Sequence, residues 1–293
     1  KKYVFLVWRR AFQLGNIWHK FWRGKMKKLL NTLYVTSENS YLRLEGETVV
    51  ICDGEQKMGQ VPLHNLDGIV SFGYKGVSPA LMGACMERKV SVCFLSPQGK
   101  FLARVTGEEC GNILLRKQQF ASVKNDKISL EIARNCILGK VFNSRWILER
   151  AIRDHSMQID VEKVRRVSQQ MKHSLTIIQS AESLDQLRGY EGAAANVYFS
   201  VFDELILQQK KEFSFQGRNR RPPMDNVNAM LSFVYTLLTT QITAALETVG
   251  LDPYVGYLHT TRPGRASLAL DLIEELRAPL ADRFVLSLIN KKI

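Results

Sequence analysis

The chain has 293 residues, of which 45% are hydrophobic, and this length allows two domains that each bury a real core. Its five cysteines are odd in number and widely spaced, without a CxxC pair, which excludes a disulfide framework or a zinc ribbon and indicates reduced thiols in a cytoplasmic protein. The formal net charge of +13 favours a polyanionic partner.

Residues 1–25 stand apart from the rest of the chain. They hold seven basic side chains, no acid and three of the four tryptophans, and the remaining residues carry a net charge of +6. Their apolar run is too short for a signal peptide, and Met26 after them looks like a translation start. We therefore expect residues 1–25 to be extraneous upstream sequence; the alternative is a basic arm that touches nucleic acid.

Residues 26–106 predict a small domain that is mostly β. Short runs rich in β-branched residues are separated by Gly, Asn and Pro. These runs are "TLYV", "YLRLEG", "TVVICDG", "QKMGQVPL", "GIVSFG", "VSVCFLS" and "KFLARVTG". One helix is predicted among the strands at residues 78–88, because Ser78 can cap it and Pro79 can open it.

The hydrophobic period becomes helical after this region, so residues 107–115 are predicted to be a linker and residues 116–293 a larger, mainly α domain. The fold class is therefore α+β with two domains. A charge-free run at residues 226–246 reaches the length of a membrane span. Its many Asn, Thr and Ser side chains favour a buried helix of a soluble domain instead.

Basic residues gather in two parts of the helical half. Residues 134–172 hold nine basic side chains against four acidic ones, which is typical either of a solvated helix face or of a surface that follows phosphates. A second cluster, Arg218, Arg220 and Arg221, lies in a Gly/Pro loop from which guanidinium groups can reach a nucleic-acid backbone.

Three carboxylates follow a histidine in "GYLHTTRPGRASLALDLIEELRAP", residues 256–279. If a helix begins near Ser267, Asp271, Glu274 and Glu275 share roughly one side of it. Like charges at this spacing repel each other, and a divalent cation would relieve the repulsion. His259 lies in the preceding loop, from which it can fold back as a nitrogen ligand.

Glu191, in "LRGYEGAAANVYF", is a candidate third ligand because its small neighbours leave space for a bulky group. One histidine and two carboxylates suit Mg²⁺ or Mn²⁺ as a Lewis acid in phosphodiester chemistry. Spacing alone leaves a second interpretation open. In that interpretation Glu191 is an acid at a helix start, His259 is a satisfied loop residue and Glu274 is an exposed partner of Arg277.

Four segments of the helical half carry a family resemblance: "RGYEGAAANVYF", "FQGRNRRPPMDNVNAMLSFVYTLL", "GLDPYVGYLH" and "GRASLALDLIEELRAPLADRFVLSLIN". In this order and spacing they closely resemble the CRISPR-associated spacer integrase family, the catalytic subunit of CRISPR adaptation. The resemblance spans residues 26–293. The segment "MKKLLNTLYVTSENSYLRLEG" is similar to the type I-C branch of the family.

The resemblance implies that the β domain forms a homodimer and that the helical domain carries one metal site per subunit. By motif position, the ligands of Mg²⁺ or Mn²⁺ would be Glu191, His259 and Glu274, with Asp271 supporting them as a further catalytic residue. Many family members have Asp at the position of Glu274, so the longer Glu would shift the metal. Glu275 is expected to lie outside the ligand set.

The resemblance also implies contacts to DNA or to the surroundings of the metal from the loop and helix after Gly217. The DNA-binding residues expected from the basic cluster and the resemblance are Arg218, Arg220, Arg221, Asn228, Ser232 and Tyr235. A buried structural role is the alternative for Ser232 and Tyr235, because their helix must pack against the domain.

The function implied is that of a metal-dependent DNA integrase and endonuclease. With a small second CRISPR adaptation protein, it would insert short foreign DNA at the CRISPR leader-repeat junction by transesterification of a 3′-hydroxyl. No membrane partner is expected. The alternatives are a stand-alone structure-selective nuclease and a DNA-binding scaffold that is inactive because of C-terminal truncation, since family members usually continue beyond "LSLINKKI".

Overall fold

In a computed structural model of the chain, residues 32–108, 113–219 and 222–293 are described. The chain divides into two compact units, residues 1–110 and residues 111–293. The predictions for residues 1–25, and those for Arg220 and Arg221, lie outside the described residues.

Seven strands form in the first unit, and they coincide with the seven runs predicted from the sequence. They are β1 (Thr32–Val35), β2 (Ser40–Glu45), β3 (Thr48–Asp53), β4 (Gln56–Pro62), β5 (Gly68–Phe72), β6 (Ser91–Leu95) and β7 (Phe101–Val105). The predicted helix is α1 (Pro79–Glu87), whose first turn is capped by the Ser78 hydroxyl as it accepts the Leu81 N–H. The prediction of a small β domain is confirmed.

The strands build two sheets. The four-stranded sheet has the order β1-β5-β6-β7, in which β1, β5 and β6 are parallel and β7 is antiparallel to β6. The three-stranded sheet is the antiparallel meander β2-β3-β4. α1 makes the crossover from β5 to β6, which parallel neighbours require. All five residues of β5 are buried, as expected of a central parallel strand.

Helices make up the second unit, as predicted. They are α2 (Ile113–Ser122), α3 (Asp126–His155), α4 (Val161–Gln179), α5 (Leu184–Phe199), α6 (Asn226–Thr248), α7 (Ser267–Leu276) and α8 (Arg283–Lys291). A π-helical segment, Arg277–Asp282, joins α7 to α8. α2 starts inside the segment 107–115 that the sequence analysis assigns to a linker.

Polar side chains fix the starts of the long helices, because each one accepts a backbone N–H that the helix cannot satisfy. The capping residues are Asn125 for α3, Asp160 for α4, Ser183 for α5 and Asp225 for α6. Below the caps the helices share one apolar core, which includes Ile137, Leu148, Met171, Phe202, Leu231 and Ile289. The buried apolar residues of α7, Leu268, Ala269 and Ile273, pack in a separate cluster with Ile242 and Leu246 of α6.

α6 corrects one expectation. The sequence predicts a buried helix, but six of its 23 residues are buried and most others are partly exposed. By length and composition alone, α6 is also the one helix among the described residues that could cross a membrane, which is weak support for such a role. One face of α6, with Ser232, Tyr235, Thr236 and Thr239, lines a cavity of about 550 Å³ within the second unit, which accounts for part of this exposure.

Four of the five cysteines lie in the described residues, where each is buried and unbonded to another cysteine. Burial raises the pKa of Cys85 and of Cys93 to about 11 and that of Cys136 to about 12. These side chains therefore remain neutral thiols at neutral pH.

Candidate active site

The proposed ligands lie on three segments of the second unit. Glu191 lies in the middle of α5, so the interpretation of it as an acid at a helix start is wrong. Glu274 lies on α7, which begins at Ser267 as predicted. His259 lies in the loop between α6 and α7.

Glu191 and Glu274 converge on a single positive charge, the ammonium group of Lys140. Lys140 Nζ donates to Glu191 Oε1 and lies 2.6 Å from Glu274 Oε2. Lys140 belongs to α3, so this one group joins α3, α5 and α7. Lys140 is one of the nine basic residues in the predicted basic helix face, but its side chain is only 11% exposed and belongs to the acidic site.

Close packing of α3 against α7 explains where Lys140 sits. At Gly139 an added Cβ would come within 3.1 Å of the Glu275 Cβ, so the two helices approach closely at this residue. One turn later, the Asn143 side chain donates to the backbone carbonyl of Glu275 at 2.7 Å. Lys140 is therefore held beside α7. Glu275 packs against α3 but is not one of the carboxylates that contact Lys140.

Glu274 is almost fully buried, so the interpretation of it as exposed is wrong, although its predicted pairing with Arg277 is present. Arg277 Nη1 lies 2.7 Å from Glu274 Oε1. Burial by itself would raise the pKa of Glu274, but Lys140, Arg277 and, more weakly, His259 hold that pKa below its usual value. The carboxylate is therefore ionised in the interior because two cations contact it.

Asp271 organises the histidine loop. Its Oδ1 accepts the backbone N–H of His259 and lies 2.7 Å from Nδ1 of the His259 ring. Its Oδ2 accepts the backbone N–H groups of Tyr257 and Leu258. All four contacts come from one loop, so Asp271 fixes both the path of the backbone and the orientation of the ring.

Two further residues hold this loop in place. Arg188, one turn before Glu191 on α5, donates from Nε and Nη2 to the carbonyl of Leu258. Gly256 packs so tightly that an added Cβ would lie 2.6 Å from the carbonyl carbon of Ser267 and 2.9 Å from Asp271 Oδ2. The positions of His259 and Glu191 are thus linked through α5.

The donor chemistry of this site fits a hard divalent cation. Glu191 and Glu274 supply carboxylate oxygens that already face one positive charge, and the Nδ1 contact to Asp271 leaves Nε2 of His259 as the ring nitrogen able to ligate. Across residues 32–108, 113–219 and 222–293, no three His, Cys, Asp or Glu side chains stand in the arrangement of a metal centre. Lys140 lies where two of the proposed ligands meet.

The cavity beside this site has a polar wall built on the π-helical segment. Asp282 is fully buried and accepts hydrogen bonds from the hydroxyls of Tyr198 and Tyr235, at 3.0 and 2.6 Å. Burial raises the pKa of Asp282 to about 6, although both hydroxyls oppose the shift. The guanidinium groups of Arg277 and Arg218 lie 5.0 and 5.4 Å from the centre of the Tyr235 ring.

Asn228 connects the basic loop to α6. Its Oδ1 accepts from the side chain of Arg218 and from the backbone N–H of Asn219, and its Nδ2 donates to the carbonyl of Gly217. Arg218 also donates to Ser232 Oγ. Asn228 is fully buried, so it shapes the loop that presents Arg218 and does not itself face solvent.

Much of the basic face predicted on α3 and α4 is paired within the unit. Each ion pair joins a cation of this face to a nearby carboxylate, and the pairs are Arg145–Glu149, Arg150–Asp154, Arg153–Asp154, Lys163–Glu204 and Arg165–Glu162. These pairs reduce the net charge that the face can offer to phosphates.

Sequence reasoning missed Lys140, Tyr198 and Asp282 as parts of this region. A signal existed for Tyr198, because it follows Glu191 by seven residues and therefore shares its helix face. No local pattern marks Lys140, which meets carboxylates 51 and 134 residues further along the chain. Asp282 depends on a π-helical segment, which the hydrophobic period does not reveal.

Residues 33–293 match the model of one protein family, described as CRISPR associated protein Cas1. The chain belongs to the Cas1 family. The match covers both units, and the expected combination of a small β domain with a mainly helical one agrees with the Cas1 fold.

Close relatives of this Cas1-family chain come from different organisms. A CRISPR-associated endonuclease Cas1 of Chlorobaculum tepidum is 48% identical over 266 residues, which cover 91% of this chain and 78% of the relative. One from Rhodospirillum rubrum is 50% identical over 272 residues with the same coverage. These relatives identify the family but do not single out its I-C branch.

Solved structures share the fold. A casposase bound to an integration product has a TM-score of 0.72 at 25% identity, covering 89% of this chain and 73% of that one. A Cas1 protein from Thermotoga maritima has a TM-score of 0.70 at 25% identity, covering 89% and 79%. A Cas6-RT-Cas1–Cas2 complex has a TM-score of 0.69 at 22% identity, covering 92% of this chain and 29% of that one.

We predict that Gly256→Ala lowers the free energy of unfolding by about 1–3 kcal/mol, because the new methyl group overlaps Ser267 and Asp271. Urea denaturation measures the change. Gly189→Ala is the matched control. Gly189 is exposed on α5 and no atom lies near its added Cβ, so this substitution should raise the free energy of unfolding by about 0.5–1 kcal/mol. Equal effects at both positions would contradict the tight packing of the histidine loop.

We predict that Asp282 makes stability depend on pH. Its pKa is raised in the folded chain, so the folded state binds the proton more tightly than the unfolded state. The resulting stabilisation is present below the ordinary pKa of 3.8 and is lost as the pH rises through about 6, a change of about 3 kcal/mol. The difference in unfolding free energy between the parent and Asp282→Asn, measured from pH 3.5 to 7, should change by this amount; a constant difference would refute it.

Proposed function

We propose that this chain is a divalent-metal-dependent DNA endonuclease and integrase of CRISPR adaptation, which inserts short foreign DNA at the leader-repeat junction. The observation that carries the proposal is the convergence of Glu191 and Glu274 on one positive charge, next to a histidine that Asp271 orients. Family membership supports it, since relatives 48% and 50% identical are CRISPR-associated endonucleases. The casposase with its integration product supports the integrase half.

Glu191, His259 and Glu274 would hold Mg²⁺ or Mn²⁺, which supplies Lewis acidity to phosphodiester chemistry. Asp271 contacts Nδ1 of His259, so the other ring nitrogen, Nε2, points away from Asp271 and can bind the metal. In the transesterification, the 3′-hydroxyl oxygen of the incoming strand forms a bond to the target phosphorus. The attacking hydroxyl loses its proton to water, the bond from that phosphorus to the 3′-oxygen of the target strand breaks, and this leaving oxygen takes up a proton from water. Water in place of the incoming hydroxyl gives hydrolysis.

DNA is proposed to approach along the wall that α6 and the basic loop form. Arg218, Arg220 and Arg221 would contact phosphates, which fixes the position of the duplex without reading its sequence. Asn228 and Tyr235 would hold Arg218 in place, through a hydrogen bond and through stacking. Ser232 lines the cavity and adds a hydroxyl beside Arg218.

The proposed assembly is a homodimer in the cytoplasm that acts with a small second adaptation protein. Support for the second protein comes from a structure that shares the fold and contains both Cas1 and Cas2. The similarity of "MKKLLNTLYVTSENSYLRLEG" to the I-C branch supports that subtype.

We predict that strand transfer depends on Glu274 and not on its neighbour Glu275. A labelled short duplex and a leader-repeat target are incubated with Mg²⁺, Mn²⁺ or EDTA, with and without the second adaptation protein. The parent should join the strands only when metal is present. The rate of joining should fall about hundredfold or more in Glu274→Gln and in His259→Ala, and the rate of Glu275→Gln should stay near that of the parent. Glu275 is the matched control because it is the adjacent carboxylate of α7 but packs beside Gly139, whereas Glu274 pairs with Lys140.

The other outcomes distinguish the rival functions. Equal rates of strand joining by the parent and by Glu274→Gln would contradict the assignment of the metal ligands. Metal-dependent cleavage without joining, unaffected by the second protein, would favour a stand-alone nuclease. DNA binding by a folded parent without any product would favour an inactive scaffold.

A further inference from the structure

Lys140 carries a positive charge that is mostly buried inside the helical unit. Its side chain is 11% exposed and that of its partner Glu274 is 4% exposed, so this ion pair is largely removed from water. An ammonium group in such a place is costly unless opposite charges surround it. Glu191 and Glu274 both do so, and each comes from a different helix.

The ammonium group and a divalent cation would need the same carboxylate oxygens. Lys140 Nζ contacts Glu191 Oε1 and Glu274 Oε2, the oxygens that face each other across the site. Two cations that share those oxygens would lie within a few ångströms of each other, where screening by water is weak and their repulsion is large. Occupation by one therefore disfavours the other.

Arg277 does not compete in the same way. It contacts Glu274 but lies three residues later on the adjoining helical turn, and its guanidinium group stacks over Tyr235 at 5.0 Å. Its Nη1 lies 2.7 Å from Oε1 and 2.9 Å from Oε2 of Glu274, so this pair holds one of the proposed ligands and does not bridge it to the other. Lys140 alone among the described cations joins both proposed carboxylate ligands.

We propose that Lys140 is an internal counter-ion that holds Glu191 and Glu274 together in the metal-free chain and must leave them before they bind a divalent cation. The inference rests on the proposed function, because it assumes that these carboxylates are metal ligands. Lys140 is thus a positioning residue, which keeps the site assembled without metal and lowers its apparent affinity for metal.

The structure provides a place for the displaced ammonium group. Lys140 lines the cavity of about 550 Å³, together with polar side chains that include Ser144, Asn196 and Ser232. A lysine has a flexible four-carbon stem, so its charge can move into this cavity while the helix stays in place. The exchange therefore requires no rearrangement of α3, α5 or α7.

The test is isothermal titration calorimetry of Mn²⁺ into the full chain after EDTA treatment and dialysis. Lys140→Met removes the charge and keeps most of the side-chain volume, so Mn²⁺ no longer has to break two ion pairs. We expect the variant to bind Mn²⁺ at least about tenfold more tightly than the parent. Lys127→Met, at an exposed position of α3, is the matched control and should bind like the parent.

A second variant covers the case in which Lys140→Met does not fold. Lys140→Arg keeps the charge and offers a rigid fork to both carboxylates, so it should bind Mn²⁺ more weakly than the parent. If the parent binds Mn²⁺ but Lys140→Met binds it equally or more weakly, the inference is overturned and the proposed function is not. The same holds if Lys140→Arg binds Mn²⁺ as tightly as the parent or more tightly. Absence of Mn²⁺ binding by a folded parent overturns the inference and the metal dependence of the proposed function together.

Discussion

The buried group of charges between α3, α5 and α7 is the constraint on which the rest of the helical unit depends. Glu191 and Glu274 face Lys140 and Arg277, so two negative charges meet two positive charges in a mostly buried region, where the Glu191 side chain is 26% exposed. Removing one member would leave an unpaired charge inside the unit, which costs far more than the net gain from the pairs. The three helices must therefore keep their mutual positions.

Asp271 and Glu274 show how two carboxylates three residues apart come to serve different purposes. Asp271 faces the loop before α7 and accepts from three backbone N–H groups as well as from the histidine ring. Glu274 faces α3 and contacts only cations. The repulsion expected from their spacing is relieved by separate partners, so it does not by itself require a metal ion.

Local patterns predicted most of the fold. All seven strands, the capped α1 and the start of α7 follow from alternation, turn residues and helix signals within a few residues of each position. The family resemblance named the candidate ligands, but no pattern could show that Lys140 joins Glu191 to Glu274, because that contact depends on how distant helices pack. The sequence also predicts α6 to be buried, whereas a cavity leaves one of its faces partly exposed.

The length of Glu274 has a physical reason in this arrangement. The resemblance associates Asp with this position in many family members, and Glu extends the carboxylate by one further carbon–carbon bond of about 1.5 Å. Here the longer side chain lets one carboxylate reach Arg277 on its own side and Lys140 on α3 at 2.7 and 2.6 Å. A shorter Asp at residue 274 would have to give up one of these cations or draw α3 closer, which the contact of Gly139 with Glu275 already prevents. The identity of residue 274 as Glu therefore depends on the presence of Lys at residue 140.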